Sequence, residues 1–356
     1  MSRLLRQSAK AIKPLALAAG FEPVQVEFRP GQPTLVHFAE GKSSTTTCLR
    51  CPDTPCMVLR EEEIECSSLS AFPTDKTPDL CAAGAMSVRL EVGVPTIDAD
   101  RCIACGICAN RCPTGAIYLD TVTGANVVSA SSAAFVEPAN DPQPAFEATS
   151  AKFWAARHMG ILAQESDSLL DRSVEKMKLA RSNTGDRFPV LHVRNLLAAL
   201  GQGAAMRRKG NNHMRMDVLL GPPGIARGVA EVEFGQNAAL DAPRDVLDAL
   251  AVLKSRYEWL LEDTAPFVIT DELPNKRSEY WEIVKKIREV IGIRVGTITT
   301  LALHLLLWNR HRLPPSFDVF YVDKESNPYR SAVLERMLER PLTLSDELKS
   351  SIEIAK

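Results

Sequence analysis

The chain has 356 residues, balances 42 Lys+Arg against 44 Asp+Glu for a formal charge of −2, and is 45% hydrophobic and 24% charged. That length is room for about two domains, and the composition excludes global disorder. The longest strongly apolar run, Leu301–Trp308, is broken by His304 and is too short to span a membrane, and Lys10 and Lys13 interrupt the apolar patch near the N-terminus. A secretory signal is therefore not expected, and the protein reads as soluble and cytoplasmic.

In chain order, Phe21–Phe38 alternates around a Pro-Gly turn and predicts a hairpin. Ser129–Ser150, rich in Ala, Ser and Pro, reads as a linker. Beyond it, Leu169, Leu170, Val174 and Met177 follow helical spacing, and a second helix covers about 189–200, stopped by Gly201. Three β-like runs follow at 204–209, 214–220 and 228–234. A helix opens after Asp241 with Pro243 in its first turn, presenting Val246, Leu247, Leu250, Leu253 and Tyr257 on one face. Then come a short strand at 266–270, a helix at 276–291 with Trp281, Val284, Ile287 and Ile291 inward, and a helix near 300–310. Phe317–Asp323 is strand-like. The order α-β-β-β-α-β with flanking helices describes a mixed α/β core.

The cysteines and charges divide the chain at the same place. All nine cysteines lie between Cys48 and Cys112, too crowded for the disulfide framework of a secreted protein and suited to ligating metal or a cluster. Residues 1–150 hold 12 basic against 17 acidic residues, and 151–356 hold 30 against 27. Within the second half, Arg181–Arg215 has seven Arg/Lys and one acid, Asp186. Such density suits a phosphate-facing surface or a solvated helix face.

Cys102, Cys105, Cys108 and Cys112-Pro113 form the run C-x2-C-x2-C-x3-C-P. Three thiolates on one tight loop reach three irons of a single cubane, and the fourth reaches another cluster. Gly106 relieves crowding on that loop. Zinc ribbons use paired C-x2-C knuckles instead. The segment resembles the two-cluster bacterial ferredoxins, and Cys81-Ala-Ala-Gly84-Ala85 echoes Cys112-Pro-Thr-Gly115-Ala116 as an earlier copy of the same unit. The resemblance implies two [4Fe–4S] clusters in a crossed pattern, one held by Cys81, Cys102, Cys105 and Cys108, the other by Cys48, Cys51, Cys56 and Cys112. The first copy departs from the family: Cys51 and Cys56 are five positions apart, and 24 residues separate Cys56 from Cys81. Cys66, inside that insertion, is a bystander or a substitute for Cys56 or Cys81.

The second half carries carboxylates. Asp217 lies in one β-like run, and Glu231 and Glu233 lie in the next, two apart and so on one face. If those strands pair, three acids meet at one edge and offer oxygen ligands to Mg²⁺ or Mn²⁺. Such an ion activates water and offsets charge building on a phosphodiester. This half resembles the PD-(D/E)XK, restriction-endonuclease-like superfamily in its αβββαβ order, its Asp on the second strand and its acidic pair on the third. It departs in having Glu233 where lysine is usual, as some type II restriction enzymes do. Glu233 is then a base toward water or a further metal ligand. Arg207, Arg208 and Lys209 are candidate phosphate contacts, Gln236 and Asn237 candidate DNA contacts or turn residues, and Glu175 an additional metal carboxylate or a surface residue. His192 and His213 read as structural, and Trp281 and Trp308 as core.

The expected fold is therefore α+β: a ferredoxin-like domain at 1–128 with an N-terminal hairpin extension, a linker at 129–150, and a restriction-endonuclease-like αβββαβ domain at 151–356. The function it implies is Mg²⁺- or Mn²⁺-dependent DNA cleavage, as in defence against foreign DNA or in repair, with Asp217, Glu231 and Glu233 catalytic and Asp217 and Glu231 on the metal. The clusters would stabilise, position or sense. DNA is the expected partner and a redox protein a further one; no membrane is expected, and a homodimer is compatible with the sequence. The alternatives are a dicluster electron-transfer protein with a C-terminal docking module, and a silent fold that only binds nucleic acid. No G-x-G-x-x-G follows a strand, so nothing points to a flavin or nicotinamide.

Overall fold

The computed structural model describes residues 25–27, 35–37, 54–65, 72–89, 94–112, 117–120, 124–127, 163–210, 215–222, 227–235 and 240–308, with six single positions (Leu313, Phe320, Tyr321, Leu342, Leu344, Leu348) beyond. The expected linker, Cys48, Cys51, Cys66, His213, Gln236 and Asn237 lie outside the described residues.

The N-terminal hairpin is present: β1 (Gln25–Glu27) pairs antiparallel with β2 (Leu35–His37). The cysteine-rich region is built from two similar units. A short helix α1 (Glu61–Ile64) precedes Cys81 and the hairpin β3 (Met86–Arg89) with β4 (Val94–Ile97). Helix α2 (Ile107–Arg111) precedes Cys112 and the hairpin β5 (Ile117–Asp120) with β6 (Gly124–Val127). Each hairpin therefore follows one of the two echoing Cys-x-x-Gly segments, which is the repeat expected from the sequence.

The second half is a three-layer α/β sandwich. Helices α3 (Ala163–Thr184) and α4 (Arg187–Ala199) lead into β7 (Gly203–Met206), β8 (Val218–Gly221) and β9 (Gly228–Glu233), an antiparallel meander. Helix α5 (Ala242–Tyr257) then crosses to β10 (Ala265–Thr270), which lies parallel to β9. Helix α6 (Glu279–Ile291) crosses to β11 (Gly296–Thr299), parallel to β10, and α7 (Thr300–Trp308) follows at once. The five strands lie in the order β11-β10-β9-β8-β7. The α-β-β-β-α-β order read from the sequence is thus present, with β11 added at one edge.

Alternation along the strands sorts the core into two layers. Ala204, Val218, Leu220, Ala230, Val232 and Ile269 face α4 and α7. Ala205, Leu219, Val229 and Val268 face α5 and α6. Helix α7 is apolar almost all round, and Leu301, Leu303, Leu305 and Leu306 are fully buried, as such a helix must be. Apolar residues of the cysteine-rich region, among them Leu59, Leu80 and Ile107, share one continuous core with Leu196, Leu197 and Leu301.

Three details differ from expectation. Ile291, read as inward, is 54% exposed, because α6 ends there at Gly292 and its inward face closes with Tyr280, Trp281, Val284 and Ile287. β8 begins at Val218, leaving Asp217 at its mouth rather than within it. β11 was not anticipated because its four residues run directly into α7 and leave no turn residue between.

Candidate functional site

Two sites follow from the fold. The first gathers thiols. The Cys102–Cys105–Cys108 loop turns through left-handed backbone at Ala104 (φ 56°) and Gly106 (φ 80°), the latter opening α2. Gly is indifferent to that geometry, whereas Ala104 is held in it by the surrounding packing. The Ala104 amide donates to Cys102 Sγ at 3.4 Å, and the Ala85 amide donates to Cys81 Sγ at 3.2 Å. Cys81 lies within electrostatic reach of Cys102, Cys105 and Cys108, and Cys56 within reach of Cys108. The fold thus brings Cys81 to the three loop cysteines, with Cys56 near one of them.

Burial pushes the thiols of Cys81, Cys105 and Cys108 upward, and neighbouring sulfurs push the same way. Ionising several thiols there demands positive charge, which irons supply. Among the described residues, no three metal-ligating side chains converge tightly enough for a single ion.

The loops are pinned from several directions. Arg111, beside Cys112, is buried and pairs with buried Glu63, while its Nε donates to Pro55 O at 2.8 Å, next to Cys56. Glu63 also accepts from the Arg60 amide at 2.8 Å, closing α1. From the second half, Ser173 donates to Ile103 O at 2.6 Å and Lys176 to Asp100 O at 2.7 Å. Asn195 donates to Asp79 O and Leu80 O at 2.9 and 2.7 Å, immediately before Cys81.

The second site gathers carboxylates on the α5 face of the sheet. Because Val218 pairs with Ala230, antiparallel register sets Asp217 opposite Glu231. The Val232 amide donates to Asp217 Oδ2 at 3.1 Å, and Arg207 approaches Asp217 Oδ1 at 3.4 Å. Asp217 and Glu231 are 6% and 5% exposed, and Glu231 Oε1 has no hydrogen-bond partner. On the neighbouring strand Thr270, in register with Glu233 and fully buried, has a hydroxyl that is also unsatisfied. A buried, unsatisfied carboxylate oxygen is costly and marks a place where a ligand belongs.

Burial raises the carboxyls of Asp217 and Glu231, and for Glu231 the nearby Asp217 and Asp245 raise it further. Half-buried Glu233 is pushed up to about 7 by burial first and by Asp217 and Asp245 next, with Arg181 and Arg207 opposing. Asp245 is the residue sequence reasoning missed. It lies in the first turn of α5, and only the crossover packing of α5 on β9 brings it to the other three acids. An Asp two residues after a helix-opening Pro is an ordinary first-turn residue, so the sequence held no signal for it.

The basic stretch is not one surface. Arg194 is fully buried and donates to Thr77 O, Arg187 pairs with Asp75, Arg215 with Asp248, and Arg207 with Asp217. Arg208 and Lys209 are exposed. Arg181 donates to Phe234 O at 2.7 Å and lines a cavity of about 420 Å³ with Phe234 and Asp271. Glu175 is exposed on α3. His192 is buried with its Nε2 3.0 Å from that of His304, and burial depresses it to about 3, in keeping with a structural role. Trp281 is buried, its Nε1 donating to Pro274 O.

Among the described residues no helix is long and apolar enough to cross a membrane. Residues 95–118 match the 4Fe–4S binding domain family. Over 72 residues, 20% of this chain, the sequence is 32% identical to an uncharacterised ferredoxin of Methanocaldococcus jannaschii, and it spans about a third of that relative's length (32%). No solved structure matches the chain. The molecule thus carries a ferredoxin-type 4Fe–4S domain in its cysteine-rich region, beside a mixed α/β sandwich.

Proposed function

We propose that the chain is an iron–sulfur-containing, divalent-metal-dependent nuclease of the PD-(D/E)XK type. The observation that carries this reading is the buried Asp217–Glu231 pair with an unsatisfied Glu231 oxygen. An ionised carboxylate is costly to bury unless a cation meets it, and the Arg207 guanidinium meets Asp217 while Glu231 Oε1 stays unsatisfied. The αβββαβ order, with the Asp at the mouth of the second strand and E-x-E on the third, supports the same reading.

Asp217 and Glu231 would hold Mg²⁺ or Mn²⁺, which lowers the pKa of bound water and offsets charge on a phosphodiester. The Val232 amide fixes the Asp217 carboxylate, so the ligand set need not reorganise. Glu233, poised near neutral pH, accepts the proton of the attacking water, the task of the lysine it replaces. Arg207, Arg208 and Lys209 on one side and Arg181 at the cavity on the other offer phosphate contacts. Asp245 tunes the charge of the group from α5.

The test is cleavage of duplex and single-stranded DNA by anaerobically purified, iron-replete protein with Mg²⁺ or Mn²⁺. Asp217→Ala and Glu231→Ala should each lower cutting by about 10³-fold or more with iron content unchanged. Cutting that persists in both variants overturns the reading. Absence of cutting, with reversible low-potential reduction that ignores both substitutions, assigns the protein to electron transfer, which the ferredoxin-type domain would serve.

A further inference from the structure

The 24-residue insertion that separates Cys56 from Cys81 does more than lengthen a loop. We infer that its segment 72–80 is a strap that makes the carboxylate site depend on ligation of Cys81. The inference rests on the metal-site reading above and adds how that site is controlled.

One end of the strap is an extra edge strand. Thr74 bridges Arg207 in antiparallel fashion, the Asp75 amide donates to Met206 O at 2.8 Å, and the Arg208 amide donates to Pro73 O at 3.1 Å. Phe72 anchors this end in the α5 layer, its ring 3.9 Å from that of Tyr257 and 5.8 Å from that of Trp259. The strap thus grips the backbone on both sides of Arg207, whose guanidinium meets Asp217 and whose amide donates to Asp217 O at 3.3 Å.

The other end is the cluster. The Leu80 amide donates to Met57 O at 2.9 Å, beside Cys56, and Asn195 holds the Asp79 and Leu80 carbonyls. Cys81 follows directly. Between the ends, Arg194 donates to Thr77 O, and Arg187 bonds both the Asp75 carboxylate and the Thr77 hydroxyl. The segment is therefore held at nearly every second residue and has little slack. Nine residues bridge the thiol group and the carboxylate group.

Irons bound at Cys81 fix the C-terminal end of the strap. Without them Cys81 is a half-buried thiol, and this end of the strap is left to its hydrogen bonds with Met57 and Asn195. Edge pairings resting on few hydrogen bonds open first. Opening here releases Arg207 from the position in which it balances Asp217.

Amide hydrogen exchange, compared between the iron-loaded full-length protein and the same protein after oxidative cluster removal and chelation, tests this. The amides of Asp75, Arg207 and Arg208 should exchange about tenfold faster or more without the cluster, while Val268 and Ile269 in β10 stay protected. In iron-loaded Asn195→Ala, which loosens only the Leu80 anchor, the same three amides should speed up severalfold with iron retained. Unchanged exchange at those amides in both comparisons overturns the strap, and so does equal acceleration at Val268 and Ile269, which would be loss of the whole sheet. A parallel titration of the iron-loaded protein with Mn²⁺, followed by electron paramagnetic resonance, separates the premise from the coupling. Failure to bind Mn²⁺ removes the metal site on which the inference rests. Normal Mn²⁺ binding with amides indifferent to the cluster removes the coupling alone.

Discussion

Among the described residues acidic groups gather in two places, a set of thiols in the cysteine-rich region and a set of carboxyls around the buried Asp217 and Glu231 in the α/β region. Both face the same electrostatic problem, since burial raises Cys105 and Cys108 just as it raises Asp217 and Glu231. They differ in how the chain assembles them. Cys102, Cys105 and Cys108 lie within seven residues on one turn, and Cys81 joins them from the preceding unit. Asp217, Glu231, Glu233 and Asp245 come from two strands and a crossover helix and meet only when the sheet is built. A site drawn from one loop survives much disturbance of its surroundings, whereas one drawn from strand register depends on everything that holds the register.

The largest effect expected is at the carboxylates: Glu231→Gln removes the ionisable buried ligand and should abolish metal-dependent hydrolysis, a loss of about 10³-fold or more, while raising stability of the metal-free protein at neutral pH. The sign follows from the direction of the shift. A carboxyl whose folded value lies above its unfolded one stabilises least where it must ionise, so relieving it helps above the unfolded range. Thermal unfolding of both proteins, with and without Mg²⁺, checks this, and a less stable metal-free variant would contradict it.

Next in size is the buried Arg111–Glu63 pair that ties the Cys56 loop to α2. Arg111→Ala strands Glu63 and should cost roughly 3–5 kcal/mol in urea unfolding of the iron-loaded protein, with accelerated iron release to a chelator. A neutral effect would mean the thiol group does not need this lock. Asn195→Ala, which removes two bonds to carbonyls beside Cys81, should cost about 1–3 kcal/mol and leave the Cys102 loop able to hold iron.

A smaller, pH-dependent effect belongs to Glu233. Its folded value near 7 exceeds the ordinary 4.5, so its contribution to stability falls as pH rises from about 4.5 through 7, and half-exposure keeps the change modest. As the base, it should give cleavage a rising limb through about pH 7. In Glu233→Gln that limb should vanish along with most of the activity, and a limb left unchanged would assign the proton to another group.

The same contrast explains what the sequence could disclose. The Cys102–Cys112 spacing is local chemistry and reads directly, as does the echo at Cys81. The strand order was readable because Pro, Gly and alternating residues punctuate it, and register then placed Asp217 opposite Glu231. Asp245, the Thr270 hydroxyl and the strap were not readable. Each depends on a contact between residues far apart in the chain, and residue type alone gave no sign. Nor could residue type show which of the seven basic residues of Arg181–Arg215 are taken up inside the molecule or in ion pairs: Arg194 is buried against Thr77, and Arg187 and Arg215 pair with Asp75 and Asp248.

The central claim is that the two acidic groups hold two different kinds of metal. Anomalous diffraction from iron-loaded crystals soaked in Mn²⁺, recorded at the iron and manganese edges, tests it directly. The account predicts iron peaks among Cys81, Cys102, Cys105 and Cys108 and a separate manganese peak between Asp217 and Glu231. Manganese absent from the carboxylates, or no iron bound at Cys81, would contradict it.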